Sequence, residues 1–445
     1  MNRKTVGVCV ILAAIAASSS APSAAAQSVA SSKTFKVVVH GDDDGLAKAA
    51  LMVAESVLQA APKVTGRLKQ PAQPLTIDIH LDGQGAAIEA PLATAESTAA
   101  ADGAVLPPPV SASPAVSKRA IEAYGLPVAT RRAVARDAAR LVAREATESF
   151  DAQPQWLRRG GVLWIAEQAL AAGGASAGIE SDPAIGSIVL RAQYILKNAD
   201  FPTASNIMLD QWGTFDAADR DGIALLFFTF LQTKQGSKFE STLAKIRTLE
   251  NGADLTRRAF DAMTAKTFRS ETLDADFKAW VRGLRPRWSE AAPDALVAGK
   301  AITLAAGPRT NAQIIATKAL EKRNFTISGE TEILQSAAKM LYVLLGATES
   351  GFTSVHFEPG VGVEINVYST ASNEWTEMAR SDCPELAAET PTVFKIAVAN
   401  DKITVSVKGK SVLEATIQDR ALTGHWGLGA MIGSAGRWNG VAAVE

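Results

Sequence analysis

The sequence predicts a multidomain chain: a mostly helical α+β part, then an all-β part. Three observations predict this. At 445 residues the chain exceeds one ordinary domain. From about Val128 to Arg282 the apolar residues recur at helical spacing with few breaks. Beyond residue 300, short alternating runs follow one another with Gly, Asn-Asp or Lys-Gly turns between them, the pattern of a sandwich or barrel.

The first 26 residues read as an export leader. Asn2-Arg3-Lys4 is a short basic start, VGVCVILAAIAA an apolar core and Ala24-Ala25-Ala26 a small-residue cleavage site. The apolar run falls short of the roughly 20 residues a membrane-spanning helix needs, and no later stretch is long enough. Cleavage near Gln27 and a periplasmic or extracellular location are expected, with no lipid anchor at Cys9. Only Cys383 then remains, so no internal disulfide is available, and a structural role suits it better than a reactive one. Forty-five basic side chains against 46 acidic ones leave no global field for nucleic acid or anionic lipid.

In order along the chain, TFKVVVHGDDDG is a strand and turn, and LAKAALMVAESVLQAA an amphipathic helix. LTIDIHLDG is a second strand, with Ile77 and Ile79 on one face. An Ala/Pro-rich loop follows between Gly83 and Pro114. GIALLFFTFLQ is a buried helix and LDADFKAWVRGL an amphipathic one ending at Gly283. Residues 34–285 thus form one domain, 286–300 a Pro-marked linker, and 301–445 the β domain.

Chemistry concentrates on the helix around LVAREATESF. On a wheel of about 100° per residue, Val134, Ala138, Leu141 and Val142 share a face, and Glu145 points into the same arc. A carboxylate there needs a cation, a metal or a proton. Arg158 and Arg159 open the next helix, where the dipole disfavours cations, so Glu145 and Glu148 are their expected partners; the alternative is that Arg144, Glu148, Arg158 and Arg159 form a solvated rim.

From roughly Thr34 to Leu284 the chain resembles the gluzincin, or peptidase-MA-like, domains of exported bacterial proteins. The resemblance rests on the strand–helix–strand start, on Arg144-Glu145-Ala146-Thr147-Glu148 where His-Glu-x-x-His is usual, and on Trp156-Leu157-Arg158-Arg159-Gly160 where Trp-Leu-x-Glu-Gly is usual. It also rests on the closing LDADFKAWV. In that family two His and a later Glu bind zinc, and the Glu between the His residues activates water. The resemblance therefore puts the metal-ligand places at Arg144, Glu148 and Arg159, and the general base at Glu145. Guanidinium cannot ligate zinc, and without a metal water keeps a pKa of roughly 15.7. Glu167, nineteen residues after Glu148, is an alternative carboxylate by spacing. The expectation is a domain without metal or cofactor, in which Arg144 and Arg159 neutralise Glu145 and Glu148, and Glu145 is a relic base. Zinc enters only if the peptidase alternative holds.

Other candidates are sparser. His40 and His80 each end a strand ahead of acidic residues, which reads as an exposed acidic turn rather than a metal site. Asn324-Phe325-Thr326 has the form of a glycosylation sequon but begins a strand. From about Ala301 the chain resembles a concanavalin-like (laminin-G or glucanase-type) jelly roll, on FTISGETEIL, FKIAVANDKITVSVKGKSVLEATI and GHWGLGAMIGSAGRWNGVAAV. That resemblance implies glycan binding, glycan hydrolysis or plain interaction. Trp375, Trp426 and Trp438 are its candidate sugar platforms. The usual Glu-x-Asp-x-x-Glu strand is missing, and Glu358 and Glu364, flanking the Pro359-Gly360 turn, read as poorly placed to replace it. The function expected is an exported, non-catalytic binding or scaffolding protein for glycan or peptide. A hydrolase, either a metallopeptidase with atypical ligands or a glycan-acting jelly roll, is the alternative. The sequence leaves oligomeric state open.

Overall fold

The structure is a computed structural model. It describes residues 27–40, 43–66, 68, 70–82, 85–87, 128–147, 150–172, 182–198, 201–249, 254–264, 268, 270–292, 295–298, 300–306, 311–334, 340–418 and 420–445. The expected leader, most of the Ala/Pro-rich loop, Glu148 and the side chain of His80 lie outside the described residues. Two compact units emerge, one holding residues up to 87, 129–172 and 188–285, the other 182–187 and 286–445. Among the described residues no helix is long and apolar enough to cross a membrane.

The first unit begins with strands β1 (Gln27–Ser31) and β2 (Phe35–His40), helix α1 (Asp44–Thr65), and strands β3 (Leu75–Asp82) and β4 (Gly85–Ala87). Strands β2 and β3 run parallel, and the two outer pairings are antiparallel. Helix α1 is the crossover that a parallel pair requires, capped by Asp43, whose carboxylate accepts from Leu46 N at 2.8 Å. The helices that follow are α2 (Val128–Ala146), α3 (Gln155–Ala172), α4 (Pro183–Asn198), α5 (Ala204–Met208), α6 (Ala217–Phe230), α7 (Gly236–Arg247), α8 (Leu255–Thr264) and α9 (Ser270–Gly283). A π-helical turn, Leu231–Gln235, joins α6 to α7. Trp156 of α3 is fully buried against Phe227, Phe228 and Phe239. A Cβ on Gly160 would fall 2.5 Å from the Ala224 carbonyl, so the glycine is what brings α3 against α6.

The second unit is an all-antiparallel sandwich of the jelly-roll type, two sheets of seven strands each. The first sheet runs β13 (Glu374–Ser381), β12 (Gly362–Ser369), β11 (Gly351–Glu358), β10 (Leu341–Thr348), β17 (His425–Ala430), β8 (Ala312–Ala316), β5 (Trp288–Ala292). The second runs β16 (Lys410–Thr416), β15 (Lys402–Val407), β14 (Thr392–Ala399), β9 (Asn324–Ile333), β18 (Ala435–Val444), β7 (Ala301–Ala305), β6 (Ala295–Ala298). Period-two alternation turns Val343, Val355, Phe357 and Ile365 of the first sheet, and Ile327, Phe394, Ile396 and Val405 of the second, into one shared core.

The expected linker at 286–300 is corrected. It supplies β5 and β6, and Trp288 is fully buried in the sandwich core. Pro286 and Pro293 break the local pattern, but the pairing of β5 with β8 is made by residues too distant in sequence to show in it.

Candidate functional site

At the place of the expected zinc site the side chains disperse. Helix α2 buries Val134, Ala135, Ala138, Ala139, Val142 and Ala143, so its contact arc is centred away from Glu145. Glu145 stands in the last turn, exposed, and among the described residues makes no ion pair or hydrogen bond. Burying it there would have set a carboxylate against the negative end of the dipole. Arg144 binds Asp151, with Nε 3.0 Å from Oδ2. Arg159 Nη1 lies 2.8 Å from Asp221 Oδ1 on α6. Arg158 donates to the Asp151 carbonyl at 3.2 Å. The expected pairing of Arg144 and Arg159 with Glu145 is therefore corrected: Asp151 and Asp221 take them up, and Glu148, the other expected partner, lies outside the described residues. Glu167 is buried and pairs with Arg136 at 3.8 Å. Arg136 lies nine residues before Glu145 on α2, roughly 13 Å along the helix axis. These residues do not fit a zinc ion. Among the described residues no three His, Cys, Asp or Glu converge on one point.

His40 and His80 do stand side by side in the parallel register of β2 and β3. His40 Nε2 lies 3.0 Å from Asp78 Oδ1, while Asp42 and the side chain of Asp82, on which the expected acidic turn rests, lie outside the described residues.

The richest polar arrangement lies on the outer face of the first sheet of the sandwich. Alternation that sends Val355 and Phe357 inward sends Phe352, Ser354, His356 and Glu358 outward. On β12 it does the same for Glu364, Asn366 and Tyr368. Strand β13 adds Trp375 opposite Tyr368, and Glu377 opposite Asn366. A bulge at Met378 then skips one residue and sets Arg380 opposite Glu364. Arg380 pairs with both Glu364 and Glu377.

The hydrogen bonds on this face run in one direction. Glu364, ionised beside Arg380, can only accept, so Asn366 Nδ2 donates to its Oε2 at 3.2 Å. The same amide nitrogen faces His356 Nδ1 at 3.4 Å, which must accept. His356 Nε2 then carries the proton and donates to Ser354 Oγ at 2.8 Å. Ser354 in turn reaches the Asn366 carbonyl at 3.4 Å. A hydrolase triad runs the other way, with the serine donating to the imidazole. Ser354 is fully buried besides. The Ser-His-Asn row is structural, and it fixes Glu364 and Asn366 in place.

Burial lowers the His356 pKa to about 4. The Glu358 carboxyl is raised, first by burial and then by the charge of Glu364, with Arg380 opposing. Glu358 and Glu364 thus share a face on neighbouring strands, flanking the Pro359-Gly360 turn, with Glu364 opposite His356 and Glu358 opposite Gly362. Beside them Trp375, 37% exposed, packs on Tyr368 at 4.9 Å between ring centroids, and edge-on against His356 at 5.3 Å and Phe352 at 5.5 Å.

Of the three expected tryptophans only Trp375 is here. Trp426 alternates inward between outward positions and meets Trp288. Trp438 is fully buried against Phe357 and Phe394. Neither offers a ring to a ligand. Tyr342, Gln313 and Arg380 escaped the sequence reading. Only the alternation of LYVLLGAT around Tyr342 could have flagged one of them.

No protein-family model matches the chain, and no curated protein matches it. Among solved structures, the carbohydrate-binding module CBM66 from Bacillus subtilis is similar at 10% identity and a TM-score of 0.32, over 36% of this chain and 96% of that one. The β-glucanase of Bacillus licheniformis is similar at 8% identity and 0.28, over 35% and 90%. Sheep galectin-11 is similar at 10% and 0.23, over 28% and 95%. At these scores the likenesses add no argument to the strand order and register described above.

Proposed function

We propose that the chain is an exported, non-catalytic binding protein that takes a glycan on the outer face of the first sheet of its sandwich. One observation carries the reading: a half-open tryptophan, two carboxylates, an amide and a guanidinium share one face. Sugars need such a set, an aromatic ring against C–H groups and fixed acceptors and donors for paired hydroxyls. Trp375 is the stacking ring. Glu358, Glu364 and Arg380 are the hydroxyl partners, and the buried row behind them supplies preorganisation. The helical unit enters as a zinc-peptidase-like scaffold without metal ligands, a reading supported by Arg144 and Arg159 standing at the ligand places. A glycan array probed with the full chain tests the proposal: binding to at least one glycan class, lost in Trp375→Ala, is the expected result. No binding to any glycan, or binding indifferent to Trp375→Ala, sinks it.

A second reading is supported by the same face. A raised carboxyl beside an ionised one is the division of labour that glycoside hydrolysis uses. Release of reducing ends from an array hit, abolished in Glu358→Gln, favours that reading over binding alone.

A further inference from the structure

A narrow cleft opens in the helical unit where α1, α2 and α3 meet α7, its enclosed part with room for about one water and its mouth open to solvent. Two guanidinium groups line it, from Arg158 and Arg247, together with the hydroxyl of Thr147. The remaining wall is largely apolar, with Val64, Leu157 and Leu243. Arg247 is the unusual member. It is half-buried, yet among the described residues it forms no ion pair, and its Nε finds no hydrogen-bond partner. The one carboxylate whose charge acts on it, Glu240, sits two turns back on its own helix at no bonding distance, and burial pulls its pKa down.

Its position is built. Gly66 follows α1 at φ +79°, and a Cβ there would fall 2.3 Å from Arg247 Nη1. Only glycine both adopts that backbone and leaves the guanidinium its place. Packing over the end of α1 accounts for part of this arrangement through the helix dipole. It does not account for a second arginine and a buried threonine converging on the same opening.

We propose that this cleft binds the carboxylate of a small acidic ligand with a short apolar body. Arg247 supplies the charge and the fork of donors, Thr147 a further donor, and the apolar wall holds the body. The enclosed part has room for about one water, so the carboxylate sits at the mouth on Arg247, with the body against the apolar wall. Arg158 adds positive potential while its Nη1 stays on the Asp151 carbonyl.

Thermal-shift titration of the full chain with N-acetylleucine, N-acetylleucinamide and inorganic phosphate tests this. The acid raises the melting temperature saturably, and the amide, which has the same body without the charge, does not. Arg247→Gln weakens the acid's apparent affinity about tenfold or more, and Thr147→Val roughly two- to tenfold. Equal effects of acid and amide overturn the proposal, as does a response to phosphate alone, no response to any of the three, or an undiminished response in Arg247→Gln. Should Arg247→Gln fail to fold, the acid–amide comparison on the unaltered chain and Thr147→Val still decide.

Discussion

Arg380 stands opposite Glu364 in the register of β12 and β13, and it does so because a bulge at Met378 displaces the strand by one residue. Simple alternation from Trp375 and Glu377 would have put Ala379 there. Glu364 is buried while Arg380 is half-exposed, so the pair is asymmetric: one partner depends on the other. Arg380→Met strands the carboxylate and costs about 1–2 kcal/mol, discounted for the exposure of the arginine. The double variant Arg380→Met/Glu364→Gln recovers part of that loss. Urea denaturation of the set checks both statements, and a single variant as stable as the parent would contradict them.

His356 makes the sandwich sensitive to acid. Its folded pKa of about 4 lies below the ordinary 6.5, so the unfolded chain takes up the proton first. Its contribution is complete above about pH 6.5 and is lost as pH falls from there toward 4, about 3 kcal/mol in all. Glu358, whose carboxyl is raised, acts in the opposite sense over its own range. The informative comparison is therefore with His356→Gln. Its stability should fall less steeply between pH 6.5 and 4 than that of the parent, and parallel profiles would contradict the assignment.

Tyr342 lies flat over a glycine. A Cβ on Gly429 would meet its ring at 2.1 Å, and the ring is held by Gln313, which donates to its hydroxyl. Gly429→Ala must displace the ring and break that bond, at a cost of about 1–3 kcal/mol. Gly440, at φ +60° with open space around its Cα, is the control: an alanine there is strained by backbone alone. Thermal unfolding of the two variants measures the difference.

At the place of the expected zinc site, Glu145→Gln should leave stability within about 0.5 kcal/mol, since the side chain is exposed and unpaired among the described residues. Arg159→Ala should cost about 1 kcal/mol through its partly shielded bond to Asp221. Elemental analysis of the purified chain should find less than stoichiometric zinc, with no dependence on Glu145. Stoichiometric zinc lost in Glu145→Gln would restore the metallopeptidase reading.

Much of the architecture was legible in the sequence because it is written in local periodicity. Alternation in FTSVHFE and VGVEINVYS gave strands, and the amphipathic run LAKAALMVAESVLQAA and the apolar run GIALLFFTFLQ gave α1 and α6. What stayed hidden depends on distant partners. Trp288 looked like linker because β8, which pairs with its strand, lies beyond an intervening hairpin. Glu145 was misread because the buried face of α2 is mostly alanine, which weighs little on a hydrophobic wheel. Trp426, Trp438 and Trp375 are alike in sequence, and only register separates two core rings from one at the surface. The bulge that delivers Arg380 leaves no sequence mark at all.

The account stands or falls on the outer sheet face, and calorimetric titration of an array-identified oligosaccharide addresses it most directly. With Trp375→Ala the dissociation constant should rise about tenfold or more. An unchanged dissociation constant in Trp375→Ala would contradict the account and place the ligand elsewhere.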